Sequence, residues 1–117
     1  MKLDTGMHRL GFSIDEIPLL IRRLKSQNAV IPRSVFSHFV GSDSAQFDFF
    51  TRQQIELFEK GSQELQEAFS HKILRHICNT AGIERFPGAQ FDMVRLGIGL
   101  YGVSPIDNSI INNVSTL

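Results

Sequence analysis

The order of elements along the chain predicts an α/β fold of about four parallel β-α units, half the number in a closed (β/α)8 barrel. Three observations lead there. Short apolar segments alternate with amphipathic ones in the order β-α-β-α-β-α-β, and such alternation implies a parallel sheet with right-handed crossovers. The length, 117 residues, falls well short of the roughly 250 that a closed barrel takes. Cationic or imidazole side chains recur just past the ends of the extended segments, where parallel α/β folds gather their reactive groups.

Residues 1–5 are short and extended and end at Thr5-Gly6. Ser13-Ile14-Asp15-Glu16 fits a capping box, with the Ser13 hydroxyl accepting from the Glu16 N–H and the Glu16 side chain reaching back. Phe12 and Ile17 stand where a hydrophobic staple needs them. Ile14, Ile17, Ile21 and Leu24 then recur at helical spacing, and Arg22, Arg23 and Lys25 suit the negative end of the helix dipole. Pro18 is expected to remove a bond just past the first turn. Residues 28–32 read as a loop, 35–39 as a strand and 41–46 as a polar loop.

Residues 47–69 form a long helix with Phe50, Leu57, Phe58, Leu65 and Phe69 largely on one side and Gly61 as a weak point. A strand follows at 73–78, and a short helix at 81–85 closed by Pro87-Gly88. The fourth strand is 91–95. Residues 107–113 are polar and turn-like, and 114–117 begin a further strand.

Composition narrows the function. Twelve Lys and Arg balance twelve Asp and Glu, whereas nucleic-acid and anionic-membrane surfaces want clustered excess cations. Neither partner is expected. Apolar residues at 42% and charged ones at 21% suit a packed globular chain. One cysteine, Cys78, excludes an intramolecular disulfide and suits a reducing compartment. No apolar run reaches the roughly 18 residues that cross a bilayer, and MKLDTGMHRLG has no apolar signal core. A cytoplasmic protein is expected.

The strand ends bring together Lys2 and Arg9, His38, His76 with Asn79-Thr80, and Arg95 with Gly97-Ile98. Each histidine alone reads as a structural residue, and Arg95 alone as an ion-pair arginine. Together on one rim they suit an anionic ligand such as a phosphate or carboxylate. Gly97 and Gly99 directly after a strand let backbone N–H groups approach an anion closely. There is no third glycine of a dinucleotide fingerprint, no G-K-[ST] and no zinc or calcium spacing, so no metal is expected.

These residues also carry a resemblance. Lys2-Leu3-Asp4-Thr5-Gly6-Met7-His8-Arg9-Leu10-Gly11 resembles the K-x-D-T-G-M-x-R-L-G signature of bacterial alanine racemases. The likeness continues through Ser37-His38-Phe39, through His76-Ile77-Cys78-Asn79-Thr80-Ala81, and through Phe91-Asp92-Met93-Val94-Arg95-Leu96-Gly97-Ile98-Gly99-Leu100-Tyr101-Gly102. Residues 35–59 are also similar to the form fused to a cell-wall ligase in some bacteria. The resemblance implies a fragment, residues 1–117, of the N-terminal barrel domain: the second half of a (β/α)8 TIM barrel, with the C-terminal β domain absent. It implies pyridoxal 5'-phosphate as cofactor and L- and D-alanine as substrates, for peptidoglycan synthesis in the cytoplasm. The partners implied are the remainder of the racemase chain and a second subunit. A serine racemase of the same family, and a non-catalytic remnant that binds the cofactor or phosphate, share these motifs.

The resemblance also implies roles. Arg95 would hold the pyridine nitrogen. Arginine keeps its proton in proteins, so that nitrogen would stay unprotonated and the ring would store carbanion charge less well. His76 would orient Arg95, and His38 would sit beside the ring and link Arg95 to a catalytic tyrosine. Arg9 would reach the phenolic oxygen and the substrate carboxylate. Lys2 matches a lysine carbamylated in many members, whose anion steadies the arginine at position 9. Asn79, Thr80, Gly97 and Ile98 would cradle the phosphate. None of Lys2, Lys25, Lys60 and Lys72 sits in the family's Schiff-base motif, and Tyr101, the one tyrosine, matches L-Y-G rather than the second base. Activity is therefore not expected of these 117 residues alone.

Half a barrel should expose its edges. The segments near Lys2 and Arg95 are expected to be bare, and an inner face bearing Leu3, Phe36, Leu74 and Met93 is expected to lack its opposing half.

Overall fold

The computed structural model describes residues 1–111, so the strand expected at 114–117 lies outside the described residues. Five regular elements follow one another: helix α1 (Ile17–Lys25), strand β1 (Ser34–Phe36), helix α2 (Asp48–Glu67), strand β2 (Leu74–His76) and helix α3 (Thr80–Arg85). β1 and β2 are parallel, with Ser34 opposite Leu74 and Phe36 opposite His76. The alternation of types thus folds as an α/β unit, with fewer and shorter strands than expected.

The two outer segments run alongside without becoming regular strands. Leu3 N–H donates to the Phe36 carbonyl at 2.8 Å and Phe36 N–H to the Met1 carbonyl at 2.9 Å, which sets residues 1–3 parallel to β1. On the far side Asp92 N–H donates to the Arg75 carbonyl and Arg95 N–H to the Cys78 carbonyl, both at 3.0 Å. The strand expected at 91–95 is not formed. Phe91 has φ +50°, outside the extended region, and its ring meets Phe58 edge-on at 5.2 Å. Turning that ring into the core breaks the alternation that a strand needs.

α1 begins behind a 3₁₀ turn, Ile14–Glu16. Ser13 N–H donates to Glu16 Oε2 at 2.8 Å, closing the box at this end. The α-helix proper starts at Ile17, so Pro18 stands in its first turn. The expected loss of a bond does not occur, because first-turn N–H groups have no intrahelical partner.

The buried stripe of α2 is Thr51, Gln54, Phe58, Gly61, Ser62 and Leu65. It keeps helical spacing, yet half of it is polar, and Leu57 from the expected apolar side is exposed. Gly61 is a contact rather than a weak point. A Cβ there would lie 2.7 Å from Ile17 Cδ1, 2.9 Å from Ile14 Cδ1 and 3.1 Å from Leu3 Cδ1. Its bare Cα lets α1 and the N-terminal segment close onto α2. Leu3, Ile17, Val35, Phe58, Leu65, Ile73, Ile77 and Cys78 are fully buried in one core.

Leu3 therefore belongs to the helix side and not to the inner face where it was expected. Phe36 is half-buried on that face, and Leu74 and Met93 are 42% and 41% exposed. The edge near Lys2 is also not bare. Phe12 N–H donates to the Lys2 carbonyl at 2.9 Å and Asp4 N–H to the Phe12 carbonyl at 2.8 Å. The return is possible because Gly11 has φ +119°, and a Cβ there would sit 2.9 Å from both the Asp4 nitrogen and the Lys2 oxygen.

Two outcomes follow from this packing. Gly11→Ala should lower stability by about 1–3 kcal/mol, read from the denaturant midpoint. Gly88→Ala, with open space around its Cα, should stay within about 0.5 kcal/mol of the parent. Equal effects at both glycines would show that the return segment does not bear on stability. The 117-residue chain should also self-associate through the face carrying Leu74 and Met93. Sedimentation at micromolar concentration checks this, and a monodisperse monomer with a sharp melt would contradict it.

Candidate functional site

The parallel register places Phe36 and His76 side by side, and their rings stack at 5.2 Å with planes 5° apart. Arg95 closes over them, its guanidinium carbon 5.2 Å from the Phe36 ring centre. Arg95 Nη1 donates to His76 Nδ1 at 2.5 Å. Nη2 donates to the Ser37 carbonyl at 2.6 Å and the Ile77 carbonyl at 3.2 Å. These carbonyls lie where the ladder of β1 and β2 runs out. A guanidinium only donates, so His76 Nδ1 must accept and the ring proton sits on Nε2. Burial, and then the Arg95 charge, hold the His76 pKa below its ordinary 6.5. Among the described residues Arg95 Nε has no partner, which leaves one donor free.

The loop from Asp4 to Gly11 is built by its own side chains. Asp4 Oδ1 accepts from the N–H groups of Gly6 at 3.1 Å and His8 at 3.0 Å. The His8 N–H is the main cause of the lowered Asp4 pKa. Gly6 turns at φ +138°, and a Cβ there would strike the Phe50 ring at 2.7 Å. Arg9 is exposed in this loop, and Lys2 is half-buried beneath it. His38, half-buried, feels both: burial lowers its pKa most, followed by the charges of Arg95, Lys2 and Arg9. These four residues form one electropositive neighbourhood.

A cavity of about 310 Å³ opens beside it, lined by His38, Asn79, Thr80, Ala81, Gly97 and Ile98 among others. Asn79 caps α3, its Oδ1 accepting from Gly82 N–H at 2.9 Å. Thr80 Oγ1 accepts from Gly97 N–H at 2.9 Å and Gly99 N–H at 3.2 Å. The Thr80 hydroxyl proton therefore remains to be donated, while the Gly97 N–H is engaged by Thr80. Among the described residues the backbone N–H groups of Thr80, Ala81 and Ile98 have no partner. The Asp43 carboxylate lines the hollow as well, opposite in sign to these free donors, which suit an anion. A wider hollow, about 540 Å³, lies elsewhere, between the Asp4–His8 loop and α2, and mixes Asp4 and Glu56 with Lys60. Cys78 is inert by comparison: burial pushes its thiol up to about 11.

Sequence reasoning missed what holds these groups in place. Gln54, fully buried on α2, donates to Thr5 Oγ1 at 3.2 Å and to the His38 carbonyl at 3.0 Å. Its Oε1 accepts from Val40 N–H at 3.1 Å. Thr5 and Ser37 hydroxyls lie 2.7 Å apart, and Ser37 donates on to the Leu3 carbonyl at 2.8 Å. The available signal was a glutamine four residues before Phe58, on the same helical face.

The two depressed histidines set a pH dependence. Above 6.5 both states are neutral and stability is full. As pH falls from 6.5 towards the folded values, the unfolded chain takes up protons first, so stability drops. NMR titration should place both His38 and His76 midpoints below 6.5, with unfolding free energy declining over the same window. Midpoints at or above 6.5 would show that neither ring is held as described.

Known proteins resemble this chain in sequence and in fold. Residues 1–105 match the family described as alanine racemase, N-terminal domain. The alanine racemase of Aeromonas hydrophila is 43% identical over 111 residues, which cover 94% of this chain and 29% of that protein. Alanine racemase 1 of Oceanobacillus iheyensis is 36% identical over 107 residues, 90% of this chain and 28% of the relative. The chain thus spans less than a third of the length of these relatives. Among solved structures, the Clostridium difficile alanine racemase in complex with cycloserine superposes with a TM-score of 0.81 at 30% identity, covering 100% of this chain and 32% of that one. The Bartonella henselae alanine racemase, solved with covalently bound pyridoxal phosphate, gives 0.70 at 27% identity over 91% of this chain and 29% of its own. By sequence over nearly its whole length and by fold, the chain belongs to the alanine racemase N-terminal domain family.

Proposed function

We propose that these residues are the cofactor-holding half of the barrel of a pyridoxal 5'-phosphate-dependent alanine racemase, about four β-α units of the eight. The longer enzyme interconverts L- and D-alanine in the cytoplasm as a homodimer. The observation that carries the reading is the Arg95 clamp with one free donor, set beside a cavity rimmed by unpaired N–H groups. The donor set fits the cofactor: one cation for a ring nitrogen, and a hydroxyl with three amides for a phosphate.

When bound, pyridoxal phosphate supplies an electron sink that acidifies the Cα–H of an amino acid. The chain's own residues do the rest of the holding. Arg95, fixed by His76, would donate Nε–H to the ring nitrogen and, unable to lose its proton, leave that nitrogen unprotonated. Thr80, Ile98 and the first turn of α3 would hold the phosphate, with Asn79 and Gly97 shaping the cradle. His38 would flank the ring. Arg9 would orient the substrate carboxylate, with Lys2, once carbamylated, steadying Arg9. Proton transfer at both faces of the α-carbon needs two bases, and the lysine and tyrosine expected for them are not among these residues.

Binding is therefore separable from turnover. Pyridoxal 5'-phosphate should bind the 117-residue chain at least about tenfold more tightly than pyridoxal, since a charged hydrogen bond contributes about 1.5–3 kcal/mol. Calorimetry with both compounds tests this, and equal affinity would sink the phosphate cradle. A coupled D-alanine assay should read no turnover above the free cofactor's own. In the longer racemase, Arg95→Glu should trade clean racemisation for transamination side products. An unchanged product ratio would mean that Arg95 does not touch the ring nitrogen.

A further inference from the structure

Ser42 lines no part of the cavity, yet it is 1% exposed and bonded at both ends. Its hydroxyl lies 2.9 Å from Asn79 Oδ1. Its carbonyl accepts from Arg85 Nη1 at 2.8 Å, and Arg85 Nη2 donates to Asp48 Oδ1, also at 2.8 Å. The turn cannot swing outward easily: Gly41 packs under Phe47, where a Cβ would meet the ring carbons at 2.7–2.8 Å.

The orientation of the Asn79 amide follows from its partners. Gly82 N–H, 2.9 Å away, can only donate, so the atom facing it is oxygen. Ser42 approaches that same oxygen, so its hydroxyl must donate. Two donors then occupy both lone pairs of Oδ1 and hold the amide from two sides. Nδ2, on a residue that lines the cavity, has no partner among the described residues. It is a two-proton donor held in place by groups that never face the hollow.

We infer that Ser42 is a positioning residue for the anion cradle: with Arg85 anchored on Asp48, it locks Asn79 so that Nδ2 donates into the cavity. The inference rests on the reading of that cavity as a phosphate site. Ser42 acts through Asn79 and touches no ligand itself.

The test titrates the 117-residue chain with inorganic phosphate, by calorimetry and by the NMR signal of the Asn79 side-chain amide. The parent should bind, with that signal moving to saturation. Ser42→Ala should weaken phosphate about three- to tenfold, the range expected from one hydrogen bond, and should shrink the shift. Ser42→Thr, which keeps the hydroxyl, should restore both. Asn79→Asp guards against a variant that fails to fold. Aspartate is a good N-cap and still accepts from Gly82 and Ser42, but it replaces the Nδ2 donor with an anionic oxygen, so binding should fall more than tenfold. If the parent binds phosphate and Ser42→Ala binds it equally well, this inference is overturned while the phosphate reading stands, whatever Asn79→Asp does. If the parent binds no phosphate and no pyridoxal 5'-phosphate, both fall together.

Discussion

Arg95 stands where the sheet stops, and the rest of the site is arranged around that fact. The carbonyls of Ser37 and Ile77 lie past the last regular pairing of β1 with β2, and unpaired carbonyls inside a fold are costly. A guanidinium offers five donors and no acceptor. One residue can therefore finish the sheet and still carry a positive charge to its rim. The same clamp settles which nitrogen of His76 holds the proton, and presses the guanidinium against Phe36, which stacks on His76. Structure and electrostatics here are one interaction.

This clamp also explains why strand length was hard to read from sequence. Residues 35–39 and 73–78 are apolar enough to look like full strands, but the Ser37 and Ile77 carbonyls turn to the Arg95 side chain and the His38 carbonyl to Gln54. Phe91 looks like the first residue of a strand because it is aromatic, and its positive φ arises from a long-range contact with Phe58. By contrast, α1 and α2 begin within three residues of where periodicity and caps put them, because those signals are local. The motif residues were legible for a similar reason. Lys2, Arg9, His38 and Arg95 gather within electrostatic reach, and Asn79, Thr80, Gly97 and Ile98 meet at one cavity.

The supports were illegible because they are polar residues in core positions. Apolar periodicity selects Phe50 and Leu57 on α2, while the face that packs inward also uses Thr51, Gln54 and Ser62. Gln54 satisfies itself only with atoms at positions 5, 38 and 40, and no spacing rule links those to position 54. Thr51 Oγ1 is the one buried side-chain polar atom without a partner among the described residues. A burial pattern drawn from hydropathy alone treats such residues as solvent-facing, whereas here they tie the helix to the ends of the strands.

The return of Phe12 onto Lys2 and Asp4 makes the intervening loop a closed ring. Both ends are bonded to one short segment, which is itself bonded on its other side to Phe36. The contour between the two fixed ends is set, and so is the arc on which Arg9 travels. Residues inserted between Thr5 and Leu10 would bulge sideways instead of lengthening the reach of Arg9 towards the cavity. Residues deleted there would pull Phe12 off Lys2 and Asp4 before they drew Arg9 closer. The reach of that arginine is thus a matter of ring size, fixed by the backbone pairing at its base.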